Sequence, residues 1–490
     1  MNKKSVSGYK LILGYLGLFM MLIGVIILIP LLVLFFYPEE IEQAKYFIVP
    51  GVISMVMGYF THFFILGKSQ EKLEKYQDAV LILLIWIIAI FISSFPFMLT
   101  GQYNFTQSIF ETTSGYSTTG LSVVDVSTTP NIFLMYRSLL QFIGGVGLVL
   151  ILTSALSDRY GMRLYSAEGH NDKLLPNLAR SARLILSIYF IYIIIGTFLY
   201  VIFGMSVFDA INHSIAAVST GGFSTKANSI AFFNSLPIEI ITIILMLLGN
   251  TNFFVHLFLI KGKLKNAIKH VELKFLLILI LTLLPFMILS IISNFNGSVG
   301  EAIRIGVFQF VSGITTTGFQ SVDSLLILPN FVLVCVIILM IIGGGIGSTA
   351  GGIKQYRVVL AIKSLYWNFR DRITHRNLIR SNYINKFGKV IEVNDQVIID
   401  TNSHILIYLV TLIFGTLIFS AHGYSLQDSL FEFASALGTV GLSIGLISYN
   451  SPPLILWTTN IGMFMGRLEF YVIFVAIAKI FMDITRRKVL

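Results

Sequence analysis

The sequence predicts an all-α polytopic membrane protein built from four parallel helix–pore loop–helix repeats, plus two N-terminal helices. Three observations carry this. Of 490 residues, 56% are hydrophobic and 12% charged, against about 25% charged in soluble globular proteins. Mean hydropathy is +0.84. Many apolar runs reach the ~20 residues that a spanning helix needs. Finally, a short polar turn recurs four times: Ser117-Thr118-Thr119-Gly120, Ser219-Thr220-Gly221-Gly222, Thr315-Thr316-Thr317-Gly318 and Gly438-Thr439-Val440-Gly441.

The first element is the basic start Met1-Asn2-Lys3-Lys4 and the apolar run after it. That run is too long for a signal-peptide core, so it reads as a spanning helix that stays. With the run at 46–67 it forms an N-terminal appendage, 1–67. Eight further runs follow at 79–99, 131–155, 182–203, 234–260, 273–294, 329–362, 403–420 and 453–482. Basic residues gather at 68–78, 158–184, 261–274, 354–390 and the tail, while the other loops hold Glu39, Glu40, Asp125 and Asp323. By the positive-inside rule the basic loops and both termini are cytoplasmic, and all four glycine turns fall outside. The net charge of +10 then belongs to inner loops and is no nucleic-acid footprint.

Before each turn lies an apolar stretch too short to span: 105–120, 207–222, 303–318 and 426–441. Such stretches read as re-entrant half-helices, tolerated at membrane depth only where protein or water surrounds them. Their aligned positions match. Phe110, Asn212, Phe308 and Phe431 share one position, Glu111, His213, Gln309 and Glu432 the next, and Ser114, Ser312 and Ser435 another, with Ala216 the exception. The turn glycines recur roughly every 100 residues, which suggests duplicated units. Each unit enters and leaves on one side, so the repeats are parallel. The expected units are 68–157, 158–262, 263–362 and 403–490, with a cytoplasmic connection at 363–402. Within it, 388–395 alternates like a short hairpin, and the whole is available for docking a partner; the alternative is a solvated inner loop with no partner.

Four such turns in one chain can close a ring of carbonyl oxygens, the means by which protein replaces the water around a cation. Gly at the last position allows backbone angles that other residues resist. The C-terminal end of each half-helix adds roughly half a negative charge aimed at the central ion pathway. Arg467 falls near the middle of the last run, with Glu469 just after it. An intramembrane charge should face a polar cavity, where Arg467 is a positive barrier beneath the ring; the alternative is a structural arginine paired with Glu469 or a carbonyl. Gly343, Gly344, Gly345, Gly347, Gly351 and Gly352 interrupt the run at 329–362, too many for a stiff helix. They read as a flexible intramembrane loop occluding the pore, with Lys354 beside it; the alternative is close helix packing. Asn250-Thr251-Asn252 lines the cavity or satisfies a kink. Arg137 reads as a boundary or pore-mouth charge, Gly144-Gly145-Val146-Gly147 as helix packing, and Cys335 as a core residue. There is no phosphate loop and no nucleophile–base constellation, so an enzyme is not expected, nor a cofactor.

At these residues the sequence resembles the Trk/Ktr/HKT superfamily of potassium transporters, TrkH type. The motifs are Thr118-Thr119-Gly120, Asn212-His213 with the run from Ser219 to Thr225, Thr315-Thr316-Thr317-Gly318-Phe319, the run from Gly347 to Lys354, and Gly466-Arg467-Leu468-Glu469. The resemblance spans essentially the whole chain. It implies potassium as the transported ion, bound at Thr118, Thr119, Thr220, Gly221, Thr316, Thr317, Thr439 and Val440. It also implies a gate formed by the intramembrane loop and Arg467, a homodimer, and a cytosolic nucleotide-binding subunit of the TrkA/KtrA type in a bacterial-type plasma (inner) membrane. In some HKT relatives a serine at the filter-glycine position goes with sodium permeation; here all four are Gly. The fourth copy, Gly438-Thr439-Val440-Gly441, departs most. Two other functions fit the composition: a transporter coupling potassium to sodium or protons, and a non-transporting membrane sensor.

Overall fold

The computed structural model describes residues 8–66, 75–147, 178–294, 298–373 and 381–487. The basic stretches 68–74 and 158–177, the start Met1-Asn2-Lys3-Lys4, Arg376, Arg380 and Lys488 lie outside the described residues, as does the end of the run at 131–155.

Nearly all of the structure is helical, and the helices fall into the repeating pattern that the four turns announce. The four short helices are Phe105–Tyr116, Val207–Val218, Val299–Ile314 and Leu426–Leu437. Each begins at a side-chain cap. Asn104 accepts from the Gln107 N–H, Ser206 from Asp209, Ser298 from Glu301 and Ser425 from Asp428. The caps satisfy donors that a helix start leaves unpaired and fix where each short helix enters.

A longer helix precedes each short one: Gln77–Leu99, Leu178–Ile202, Val271–Asn294 and Asp395–Ala421. A second helix follows each: Asn131–Val146, Leu236–Asn250, Asn330–Ile342 and Pro453–Arg467. Each following helix packs on the short helix of the next unit, and Pro453–Arg467 packs on Phe105–Tyr116. The contacts therefore run in a circle. The last helix, Tyr471–Arg487, packs against Gln77–Leu99 of the first unit.

The sequence treats the runs 234–260 and 453–482 as continuous spans. Both are broken. The chain bends by 107° between Leu236–Asn250 and Phe253–Ile260, and by 99° between Pro453–Arg467 and the helix after it. At the first bend Asn252 turns its side chain onto the Phe254 N–H and starts a new helix. At the second, Glu469 and Phe470 take left-handed backbone angles of 54° and 60°, which no helix interior tolerates. Arg467 thus ends a helix instead of occupying mid-span. The run at 329–362 is broken too, as expected. Its helix stops at Ile342 and resumes only at Gln355.

The N-terminal helices Tyr9–Leu28 and Ala44–Leu66 form a tight pair. Gly17 and Gly24 face Gly58 and Gly51, and a side chain at any of these would strike the partner backbone or side chains. Close approach through small residues substitutes for a hydrophobic drive that lipid does not supply. Glu40, in the turn between the two helices, accepts from the backbone of Asn131 (2.7 Å) and Ile132 (2.9 Å), so the appendage caps a helix of the first unit. In the 363–402 region a hairpin does form, β1 (Tyr383–Lys386) with antiparallel β2 (Lys389–Glu392). Helix occupies the flanks up to Ile373 and from Asp395, so the connection is shorter than the composition suggests.

Candidate functional site: a four-sided filter and the loop beneath it

Each short helix ends the same way. In the first, the Thr118 N–H bonds the Gly115 carbonyl and the Thr119 N–H bonds Ser114, both at 3.0 Å. The pattern repeats at Thr220/Gly221, Thr316/Thr317 and Thr439/Val440. This helix-ending motif needs one residue in the left-handed region, and Gly is the usual choice. Here it is threonine every time: φ is 57° at Thr118, 50° at Thr220, 51° at Thr316 and 50° at Thr439. A β-branched residue there is an outlier, of a kind that costs about 1–3 kcal/mol and persists where the surroundings impose it. Four-fold repetition of the same strain marks this turn as the site.

Two residues later Gly120, Gly222, Gly318 and Gly441 have φ of 93°, 70°, 85° and 94°. Their neighbours show that the turns form a ring. A Cβ on Gly120 would run into the Gly221 carbonyl oxygen, one on Gly222 into Thr317, one on Gly318 into Val440, and one on Gly441 into Thr119. The circuit closes on itself in sequence order. Thr119, Gly221, Thr317 and Val440 each present a carbonyl against the next turn, at the ends of four helices whose dipoles are negative there.

Polar groups behind the ring hold it open. Ser114 accepts from the Gly120 N–H (3.0 Å), Ser435 from Gly441 (3.1 Å), and Ser312 donates to the Phe319 carbonyl (2.6 Å). In three of the four units the aligned position nine residues before the glycine grips the chain two residues after it. Glu111 accepts from the Ser122 hydroxyl (3.0 Å), Glu432 from Ser443 (2.6 Å), and His213 Nε2 meets the Ser224 hydroxyl (2.9 Å). Gln309 is buried and its amide has no partner among the described residues. Arg137 is no loose boundary charge: it is buried, donates to Glu111 at 2.6 Å and lies over the Phe223 ring. Above the glycines opens a cavity of about 400 Å³, lined also by Asp125, Asp323 and Lys226. Hydrogen bonds from the Ser127 hydroxyl and N–H keep the exposed Asp125 carboxyl below its usual pKa, so its charge persists at the mouth.

Directly inside the ring lies the loop 343–354. Thr220 donates to Thr349 (2.9 Å), the Gly351 N–H donates to Thr316 (2.7 Å), and Gly351 lies against Thr439. Arg467 donates to the Thr349 carbonyl (3.0 Å) and to the carbonyls of Gly144 and Gly145. It thereby ties the loop to the first and last units. Glu469 pairs with Arg357 at 2.5 Å. Lys354 is buried under the loop with its ammonium on the Ala350 carbonyl.

The glycine content suggests a flexible loop, but this one is held. Its neck is cross-bonded, Gly344 N–H to Gly351 and Gln355 N–H to Gly344. Asn250 accepts from Gly345, Asn252 donates to Ile346, and Glu272 accepts from the Ile346 N–H at 2.8 Å. Irregular backbone buried in a membrane protein must find such partners. Glu272 also contacts His270 (3.0 Å), whose ring stacks on Phe387 at the hairpin tip, 4.1 Å between centroids. A continuous run of contacts therefore joins the hairpin to the loop.

Comparison with known proteins agrees with this architecture. The TrkH family model, described as a cation transport protein, matches residues 54–484. An uncharacterized cation transporter of Methanocaldococcus jannaschii is 29% identical over 99% of this chain and 98% of its own. The Trk system potassium uptake protein TrkG of Escherichia coli is 29% identical over 97% and 99%, and TrkH of the same organism 28% over 95% and 98%. The crystal structure of the potassium transporter TrkH from Vibrio parahaemolyticus superposes with a TM-score of 0.83 at 24% identity, over 95% of this chain and 98% of that one, a likeness of fold. With a four-unit ring, helical spans and a family match over most of its length, the chain belongs to the TrkH family of cation transport proteins.

Proposed function

We propose that this protein takes up potassium across a plasma (inner) membrane, through the ring at Gly120, Gly222, Gly318 and Gly441. The observation that carries the reading is the closed circuit of carbonyl-to-glycine contacts. Backbone oxygens at Thr118, Thr119, Thr220, Gly221, Thr316, Thr317, Thr439 and Val440 replace the ion's water. Potassium as the ion is supported by the potassium-transporting relatives and by Gly at all four filter positions. The membrane potential drives entry, at about 2.3 kcal/mol per charge per 100 mV.

The loop 343–354, Arg467 and the Glu469–Arg357 pair are the gate. The loop contacts three of the four strained threonines or lies against them, and Arg467 adds a fixed positive charge beneath the filter, a barrier to cations. Opening requires the loop to leave the Thr349 and Gly351 contacts. A cytosolic nucleotide-binding subunit of the TrkA/KtrA type supplies that push, acting on the inner face where both termini, the hairpin and the basic segments lie. The working unit is a homodimer in the lipid bilayer.

Purified protein in proteoliposomes under an imposed inside-negative potential tests the reading. Potassium influx exceeding sodium influx is expected, increasing when the regulatory subunit and its nucleotide are added. Equal potassium and sodium influx in the presence of that subunit would overturn the filter assignment.

A further inference from the structure

The second turn differs from the others at one position. Where the first and third have Thr119 and Thr317 and the fourth has Val440, the second has Gly221. Backbone conformation does not require this glycine: Gly222 has positive φ, and Gly221 is not among the positive-φ residues. Space does require it. A Cβ at 221 would lie 2.6 Å from Gln141 Oε1 and 2.7 Å from Nε2. Gln141 stands on the helix Asn131–Val146, which packs on the second short helix. It is completely buried. Its Nε2 donates to the Gly221 carbonyl at 2.5 Å, and its Oε1 accepts from the Phe223 N–H at 3.2 Å.

Corresponding helices of other units carry no amide at this height. Gly144, Gly249 and Gly466 occupy one register, since a Cβ on each would meet the carbonyl that ends its own short helix, at Tyr116, Val218 and Leu437. Three residues earlier stand Gln141, Met246 and Met463, all fully buried. The turns that follow the two methionine-bearing helices in the circuit have Thr317 and Thr119. A methionine thus accompanies a threonine, and the glutamine accompanies a glycine.

We propose that Gln141 is a selectivity-determining positioning residue. Its amide fills the volume of the side chain missing at Gly221 and clamps the two peptides on either side of Gly222, so that the otherwise flexible Gly-Gly turn presents its carbonyl in register with the other three. Both neighbouring glycines lack side-chain packing of their own, and Gly is the residue with most backbone freedom to lose. A filter with one wandering carbonyl distinguishes cations less well, because discrimination depends on the number and placement of coordinating dipoles. The inference rests on the filter reading above.

The test is a double-mutant cycle read as potassium-to-sodium flux ratio in proteoliposomes, with Gly318→Ser as an independent filter control. Gln141→Met removes the clamp, and Gly221→Thr introduces the side chain it replaces. Each alone is expected to lower the ratio about tenfold, the scale of one lost buried hydrogen bond. The pair together rebuilds the methionine–threonine arrangement found at the first and third turns and should return the ratio towards the wild-type value. Should a single variant not accumulate in the membrane, the double variant still decides, since it must be both recovered and potassium-selective. A wild-type ratio for Gln141→Met while Gly318→Ser loses selectivity would overturn the clamp alone. A double variant worse than both singles would do the same. If Gly318→Ser also leaves the ratio unchanged, the filter reading falls and the inference with it.

Discussion

The outer half of the proposed pathway is built four times and the inner half once. At the proposed filter, four turns share one hydrogen-bonding pattern, one strained threonine angle and one left-handed glycine region. A few ångströms further in, the symmetry is gone. A single loop from the third unit lies against three of the four turns, held by Asn250 and Asn252 of the second unit and by Arg467 of the fourth. Repetition suits a task that is the same from every side, such as surrounding a spherical ion. Control needs only one movable part, and a part present once can be released by a single event.

This contrast can be broken at the filter first. Gly318→Ser places a side chain on a residue with φ of 85°, against the Val440 carbonyl. The angle alone costs about 1–3 kcal/mol, and the displaced carbonyl belongs to the adjacent unit. The expected result is the largest of all, a fall in potassium-over-sodium preference of about tenfold or more in flux assays. An unchanged preference would mean that the ring is scaffold and not filter.

The inner half gives the second test. Arg467→Ala removes charge-assisted bonds to the Thr349 carbonyl and to the first unit, each worth about 1.5–3 kcal/mol, and deletes the barrier charge. Basal potassium flux without the regulatory subunit should rise several-fold while selectivity holds. A drop in flux from normally folded protein would show the arginine to be a support for the pore and not its barrier.

The smallest effect sharpens the boundary between the halves. Thr220 donates to Thr349, whereas the Thr439 hydroxyl is buried without a hydrogen-bond partner among the described residues. Thr220→Val should loosen the loop by about 1 kcal/mol, the net worth of one hydrogen bond, and raise basal flux modestly. Thr439→Val, with nothing to lose, should leave basal flux near wild type. Equal effects from the two would mean that the loop does not discriminate among the four sides.

Much of the outer half was legible in the sequence because its signals are local. The turns, the short helices and the glycines lie within a few residues of one another, and three of the four short helices begin at the expected residue. Even the caps were there to be read: Asn104, Ser206, Ser298 and Ser425 each stand three residues before Gln, Asp or Glu, a known helix-start signature. The inner half was less legible. Arg467 and the glycine-rich run stood out by chemistry, but their partners are distant in sequence. Nothing near 272 announces that a glutamate will hold Ile346, nor anything near 141 that a glutamine will reach Gly221. The bend at 468–470 was hidden because hydropathy measures burial in lipid and is blind to direction, whereas Asn250-Thr251-Asn252 offered a kink near 251 as one of two readings. The Arg137–Glu111 pair was missed because its two members lie on different helices: Arg137 reads in the sequence as a boundary or pore-mouth charge, and it does line the mouth cavity, while Glu111 reads only as a repeated position of the short helix.

All four sides of the proposed filter belong to one covalent chain. In a ring assembled from four identical chains, any substitution enters at every corner at once, and a change tolerable at one corner is rejected because it is imposed on all. Here each corner can drift by itself. The glutamine–glycine pairing of the second turn, the valine of the fourth and Gln309 of the third, without a hydrogen-bond partner among the described residues, are three such private edits. A single gene carrying four unequal copies can therefore adjust ion preference in quarter-steps, a gradation closed to a symmetric tetramer.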